Sequence, residues 1–196
     1  MTQILKLDGV SRAFGAVKVA DELSYGLAEG EALGVLGPNG AGKTSMFNLI
    51  TGTLQPGSGR IEFAGEDITR HSAARRSRAG IARSFQVPQP FTHMTVFENA
   101  MVAATQSAGL SGHAAERLCL EVLERTHLLD KANLPAGGLT LLNRKRLELT
   151  RALCAKPRLL LLDEIAGGLT EAECRPKAIM ASPEVQEIYL GIAADA

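Results

Sequence analysis

Residues 37–44 read Gly37-Pro38-Asn39-Gly40-Ala41-Gly42-Lys43-Thr44 and satisfy the spacing G-x-x-x-x-G-K-[ST] at every fixed position. Residues of these types at this spacing hold phosphate. Glycines let successive backbone N–H groups turn inward around an anion, a lysine ammonium reaches the terminal phosphates, and a threonine hydroxyl enters the shell of a Mg2+ ion. Lys43 and Thr44 fill those two parts. A second group with matching chemistry lies far along the chain, where Leu159-Leu160-Leu161-Leu162 runs into Asp163-Glu164. Asp163 is suited to hold Mg2+ through water, and Glu164 to orient and polarise an attacking water. A buried strand often ends in a surface carboxylate, so this pair gains its meaning from the phosphate loop upstream. The two motifs together point to a bound nucleotide.

The flanking elements have to put these groups where they can act. The apolar run Ala32-Leu33-Gly34-Val35-Leu36 predicts a strand leading into the loop, and Met46, Phe47, Leu49 and Ile50 predict a helix leading out, stopped by Gly52. The phosphate would then sit at a helix N-terminus. The run 159–162 predicts a strand buried on both faces of a parallel sheet, whose C-terminal end is where ligands bind in such sheets. Val87-Pro88-Gln89-Pro90-Phe91 is interrupted by proline and predicts a surface loop. From Val96 to about Leu129 the pattern is helical, with an apolar stripe of Leu118, Val122, Leu123, Leu128 and Leu129 and with Glu116, Glu121 and Glu124 elsewhere.

The bulk composition, 196 residues with 45% hydrophobic and 21% charged, is that of one ordinary globular domain with room for a subdomain. Lys plus Arg and Asp plus Glu both number 21, so no net field argues for nucleic acid. Arg70, Arg75, Arg76 and Arg78 read as a solvated helix face. Met1-Thr2-Gln3-Ile4 starts no signal peptide and no apolar run is long enough to span a bilayer, which leads us to expect a cytoplasmic chain. Cys119, Cys154 and Cys174 lack C-x-x-C spacing and read as reduced structural thiols. His71, His93, His113 and His127 lack metal-ligand spacing.

Several motifs in order along nearly the whole chain resemble the ATP-binding subunits of ABC transporters, most closely those of the branched-chain amino-acid uptake group. They are Phe14-Gly15 before the first strand pair, the phosphate loop, Gly52 through Gly59, Arg83-Ser84-Phe85-Gln86, Leu139 to Leu153, and Asp163-Glu164. The resemblance implies an α/β P-loop NTPase of ABC type, with a mixed β-sheet core (1–85 and 156–196), a helical subdomain (86–155) and a shortened C-terminal region. It implies ATP and Mg2+ as ligands, with Gly37 through Thr44 and Ser45 on the nucleotide and Thr44, Gln86 and Asp163 at the metal. Phe14 matches the aromatic that stacks on adenine, a contact worth about 1–3 kcal/mol on comparable base platforms; the alternative is a core aromatic. Gln86 matches a glutamine that approaches Mg2+ and the attacking water, beside Glu164 as catalytic residue. The neighbourhood of 87–91 receives the permease's coupling helix in that family. The implied partners are transmembrane permease subunits and a second ATP-binding subunit, at the inner face of the membrane.

The chain departs from the family in two places. The signature Leu-Ser-Gly-Gly-Gln aligns with Leu139-Thr140-Leu141-Leu142-Asn143, so both glycines are leucine. In the family this segment caps a helix facing the γ-phosphate on the other subunit, and leucine side chains there keep backbone from approaching phosphate closely. After Glu164, Gly168-Leu169-Thr170 resembles the D-loop, but no histidine follows to serve as the family's switch residue. The stretch from Ala178 to Gly191 looks like the extreme C-terminal tail of the group and follows too soon. The expectation is that a strand–helix–strand unit, on the order of 30 residues or more, has been lost between about Cys174 and Pro176. Two further readings follow: a protein that binds ATP and hydrolyses it poorly or is non-functional, and a soluble P-loop kinase or GTPase.

Overall fold

The computed structural model describes residues 3–37, 40–85 and 87–163. Pro38, Asn39, Gln86, Glu164, Cys174 and the expected D-loop and tail lie outside them, as does the expected junction near Pro176. The described residues form two compact units, 3–76 and 77–163.

The first unit is built on a long hairpin. Strand β1 (Gln3–Phe14) pairs antiparallel with β2 (Val17–Ala28) and on its other side with β3 (Ser58–Phe63), which pairs in turn with the short β4 (Glu66–Asp67), giving the order β2-β1-β3-β4. Phe14 and Gly15 therefore sit at the hairpin's turn, within the first strand pair and not before it. Leu5, Leu7 and Val10 of β1 and Ile61 and Phe63 of β3 are buried, as is the face of helix α1 (Lys43–Thr51) that carries Met46, Leu49 and Ile50. The helix ends at Gly52, in left-handed backbone at φ 79, as expected.

The lead-in to the loop differs from expectation. Residues 31–37 form no strand, and Leu36 is 97% exposed. A strand exists through the ladder it joins, and apolar alternation alone supplies no partner.

The basic cluster is corrected at one position. Arg70, Arg75 and Arg78 are exposed, but Arg76, in helix α2 (Ala73–Arg78), is fully buried. Its Nη1 donates to the carbonyls of Leu49 (2.6 Å) and Ile50 (2.9 Å), Nη2 to Thr69 O (3.0 Å) and Nε to His71 O (3.2 Å). Leu49 and Ile50 lie in the last turn of α1, whose carbonyls have no helical partner and whose own sequence offers no base there. Arg76 supplies the missing donors and positive charge from elsewhere in the chain. Burial lowers its pKa to about 10, so it remains a cation at neutral pH.

In the second unit, β5 (Ile81–Ser84) and β6 (Leu159–Leu162) pair in parallel, with Arg83 opposite Leu161 and Ser84 opposite Leu162. The helical stretch is two helices, α3 (Val96–Gln106) and α4 (Gly112–Arg125), broken where Ser107, Gly109 and Ser111 interrupt the pattern. Thr95 and Glu98 form a capping box at the start of α3. Ala100, Ala104, Ala115, Cys119 and Val122 pack with Cys154 of α5 (Leu141–Cys154). Leu123 and Leu128 pack with Val96, Leu139 and Leu147, while Leu129 falls outside the helix and is half exposed. Burial raises the pKa of both Cys119 and Cys154, which keeps these thiols protonated and inert. Among the described residues, no helix is long and apolar enough to cross a membrane.

Arg76→Met should lower unfolding stability in urea by on the order of 1–3 kcal/mol, through the buried carbonyls it leaves without donors. Arg75→Ala, which removes an exposed pair with Glu66 at 3.0 Å, should cost about 0.5 kcal/mol or less.

Candidate functional site

The phosphate loop belongs to the first unit. Gly40 and Gly42 hold left-handed backbone, at φ 85 and 87, which turns the chain tightly into α1. Gly42 is required for a second reason: a Cβ there would lie 2.8 Å from the Val19 carbonyl oxygen of β2. Lys43 reaches back across the loop and donates its ammonium to the Gly37 carbonyl. Helix α1 starts with no side-chain cap and no acidic residue in its first turn. Its opening N–H groups are therefore neither capped nor neutralised by a side chain of that turn, the arrangement that suits an anion. Thr44 is exposed in that first turn and Ser45 is partly buried beside it. Phe14 is 52% exposed and so is not a core aromatic; the Arg12 guanidinium lies over its ring, 4.8 Å from the centroid.

Asp163 belongs to the second unit, one residue beyond β6. Residues two apart on a strand share a face, so Asp163 continues the side of Leu161, and Arg83 stands opposite Leu161 in the parallel ladder. That register brings the guanidinium onto the carboxylate: Arg83 Nη2 donates to Asp163 Oδ2 at 2.6 Å, with side chains only 4% and 9% exposed. The Asp163 N–H also faces Ser84 Oγ at 3.4 Å, and Arg83 lies over the half-exposed Phe85 ring at 5.1 Å from its centroid. The sequence reading missed this pair. A cation one residue ahead of Ser84-Phe85 was the only available signal, and the ladder register is what gives it meaning.

The segment 139–143 opens α5. Leu139 is buried against Leu147 and Leu123. Thr140 is the N-cap, its hydroxyl accepting from the Asn143 N–H at 3.3 Å, as its type predicts. Leu141 is 55% exposed and Leu142 partly so. Arg144, also missed from sequence, fixes the approach to the helix by donating to Leu139 O (3.0 Å) and Gly137 O (2.8 Å).

The loop 87–91 is held from two helices. The Gln89 N–H donates to buried Glu148 Oε1 (3.0 Å), and Arg151 Nη1 donates both to Gln89 O and to Glu148 Oε1, each at 2.9 Å. Asn99 of α3 brackets Phe91, accepting from its N–H at 2.9 Å and donating to its carbonyl at 3.0 Å. Arg151 also lies over the Phe91 ring, at 4.9 Å. Val87 and Phe91 remain exposed, so the loop presents apolar surface on a fixed backbone.

Two oxygen groups are each of the hard type that Mg2+ takes, the Thr44 hydroxyl in the first unit and the Asp163 carboxylate in the second.

A family of proteins described as "ABC transporter" matches residues 20–167. The high-affinity branched-chain amino acid transport ATP-binding protein BraF of Pseudomonas aeruginosa is 35% identical over 184 residues, covering 87% of this chain and 72% of the relative. LivG of Escherichia coli K12, with the same description, is 33% identical over 88% of this chain and 73% of its own. Among solved structures, a nucleotide-free ATP-binding cassette from an ABC transporter superposes with a TM-score of 0.75 at 29% identity, covering 87% of this chain and 72% of that one. An ATP-binding cassette in its ADP conformation also gives 0.75, at 28% identity over 88% of this chain and 73% of that one.

Glu148→Ala should free the Gln89 amide. Hydrogen exchange there should quicken about tenfold or more, as expected for losing a bond to a charged acceptor, while amides within α4 keep their protection.

Proposed function

The chain belongs to the ABC transporter family, and from that premise we propose that it binds ATP with Mg2+ and hydrolyses the nucleotide to energise an importer. The observation that carries this reading is the start of α1: an uncapped helix N-terminus, a left-handed Gly42 seated against β2, and Lys43 folded onto the loop. No side chain caps that first turn and no acid lies in it, and the Lys43 ammonium rests on the loop at the Gly37 carbonyl.

In this reading Gly37 through Ser45 contact the phosphates, with Thr44, Gln86 and Asp163 serving the metal. Mg2+, when bound, would supply charge neutralisation at the phosphates. Glu164 orients the attacking water with Gln86, and Phe14 stacks adenine on the ring face away from Arg12. Residues 1–85 and 156–196 form the nucleotide-binding core and 86–155 the helical subdomain. The segment 139–143 faces nucleotide held by a second ATP-binding subunit. The exposed apolar residues of 87–91, fixed by Glu148, Arg151 and Asn99, support docking of a transmembrane permease subunit there, with the chain peripheral at the inner face of the membrane. The names of the relatives support branched-chain or related amino acids as cargo.

One observation favours a second reading, ATP binding with little hydrolysis. Leu141 stands exposed in the first turn of α5, where the family has glycine to admit backbone to phosphate.

With ATP at a hundredfold excess over its Kd, native-state binding contributes about 2.7 kcal/mol. The melting temperature should then rise by roughly 5–10 °C. EDTA and Lys43→Ala should each remove most of that shift; a shift that survives Lys43→Ala refutes the assigned site. Steady-state phosphate release decides between the two readings. Glu164→Gln should abolish turnover and keep the ATP-dependent melting shift if the chain hydrolyses, whereas an unchanged residual rate selects binding alone.

A further inference from the structure

Asp163 already has a cation. The Arg83 guanidinium meets its Oδ2 at 2.6 Å inside the protein, both side chains being at least nine-tenths buried. A buried carboxylate needs a positive partner, and the partner it has is covalently part of the chain, placed by the β5–β6 register. A divalent cation approaching the same carboxylate meets a competitor whose local concentration never falls.

We propose that Arg83 is the built-in counter-ion of Asp163 and competes with Mg2+ for its carboxylate, so that it sets the Mg2+ concentration at which the chain takes up magnesium nucleotide. The inference rests on the ATP-binding reading and assigns a regulatory part to a residue outside the phosphate loop. Three features support it. The guanidinium holds the carboxylate through Oδ2 at 2.6 Å, one of the two oxygens a metal or its bound water would draw on. Phe85, one residue on from Ser84, already lies under the same guanidinium at 5.1 Å, so the charge keeps a partner when the carboxylate turns to a metal. The Asp163 backbone faces Ser84 Oγ, so the main chain stays tied to β5 while the side-chain pair exchanges partners. Arg83 is thus a positioning residue whose effect is read in the metal dependence.

The test titrates Mg2+ against binding of a fluorescent, non-hydrolysable ATP analogue to the full chain, in wild type, Arg83→Met and Arg83→Lys, with thermal melts in EDTA and in Mg2+ alone. Competition requires the Mg2+ midpoint to fall in Arg83→Met by about tenfold, since the buried carboxylate has lost the guanidinium that meets it in the ladder. Arg83→Lys, a compact ammonium without the planar fork, should fall between the two. Arg83→Met should melt lower than wild type in EDTA and recover more of its stability when Mg2+ is added. An unchanged midpoint, with equal melting losses in EDTA and Mg2+, makes Arg83 structural and overturns the inference. A midpoint that rises means that Arg83 helps Asp163 to hold the metal, and overturns it too. If Arg83→Met folds in neither condition, Arg83→Lys decides: a midpoint at or above wild type refutes competition. Wild type that binds the analogue normally while the variants show no shift sinks only this inference. Wild type that binds no analogue at any Mg2+ concentration sinks the ATP-binding reading and this inference together.

Discussion

A charge taken out of water must be met by an opposite charge or by oriented dipoles, and that requirement organises the described structure. Arg76 meets it with four backbone carbonyls, two of them at the end of the helix that follows the phosphate loop. Arg83 and Asp163 meet it with each other across a parallel ladder. Glu148 meets it with the Arg151 guanidinium and a backbone N–H of the loop after β5. In each case a long side chain joins segments that are remote in sequence, and in each case one of the joined segments carries a residue assigned to the nucleotide or to a partner. Hydrophobic contacts could hold the same elements together without fixing these angles, because apolar burial is non-directional.

Helix α1 shows how such a constraint reaches the site. Its C-terminal carbonyls are answered by Arg76, so that end is neutralised inside the protein. Its N-terminal donors have no side-chain cap, and its first turn holds no acid. The dipole is compensated at one end and left open at the other, and the open end carries Lys43 and Thr44. A capped N-terminus would make a sturdier helix and a poorer phosphate site, since the cap would occupy the donors the ligand needs.

The legible parts of the sequence were those set by local rules. The glycine spacing of the loop, the stop at Gly52, the Thr140 cap and the non-helical course of 87–91 each depend on a few adjacent residues. The parallel strand 159–162 was legible from its unbroken apolar run. What local pattern could not reveal was partnership. Arg76 looked like its exposed neighbours because a charge declares nothing about the carbonyls it will meet. Residues 31–37 carried a strand's composition, but a strand requires a ladder, and the described residues give that segment none. The Arg83–Asp163 pair required the register of two strands separated by most of the second unit. The helical stretch was legible as helix; its division at Ser107–Ser111 was not, because one apolar stripe can serve two packed helices as well as one long one.

The same reasoning bears on the altered signature. Leu139 is anchored in the core and Arg144 clamps the carbonyls of Gly137 and Leu139, so the start of α5 is as rigid as its cap can make it. Replacing two glycines by leucine therefore does not loosen the helix; leucine is the better helix former, and the first turn is regular. What changes is the distance of closest approach. In the proposed arrangement, a phosphate presented to this end by a second subunit would have the exposed Leu141 side chain beside it, where glycine would leave the backbone N–H groups open. A dipole acts on charge through distance, so its effect weakens with that separation. Under the proposed function, nucleotide would be held mainly by the loop and the helix on the same chain, and its binding would tolerate such a loss. Phosphoryl transfer depends on charge placed at the transition state from every side. On that reading the leucines at 141 and 142 would bear on the rate of hydrolysis more than on the holding of ATP.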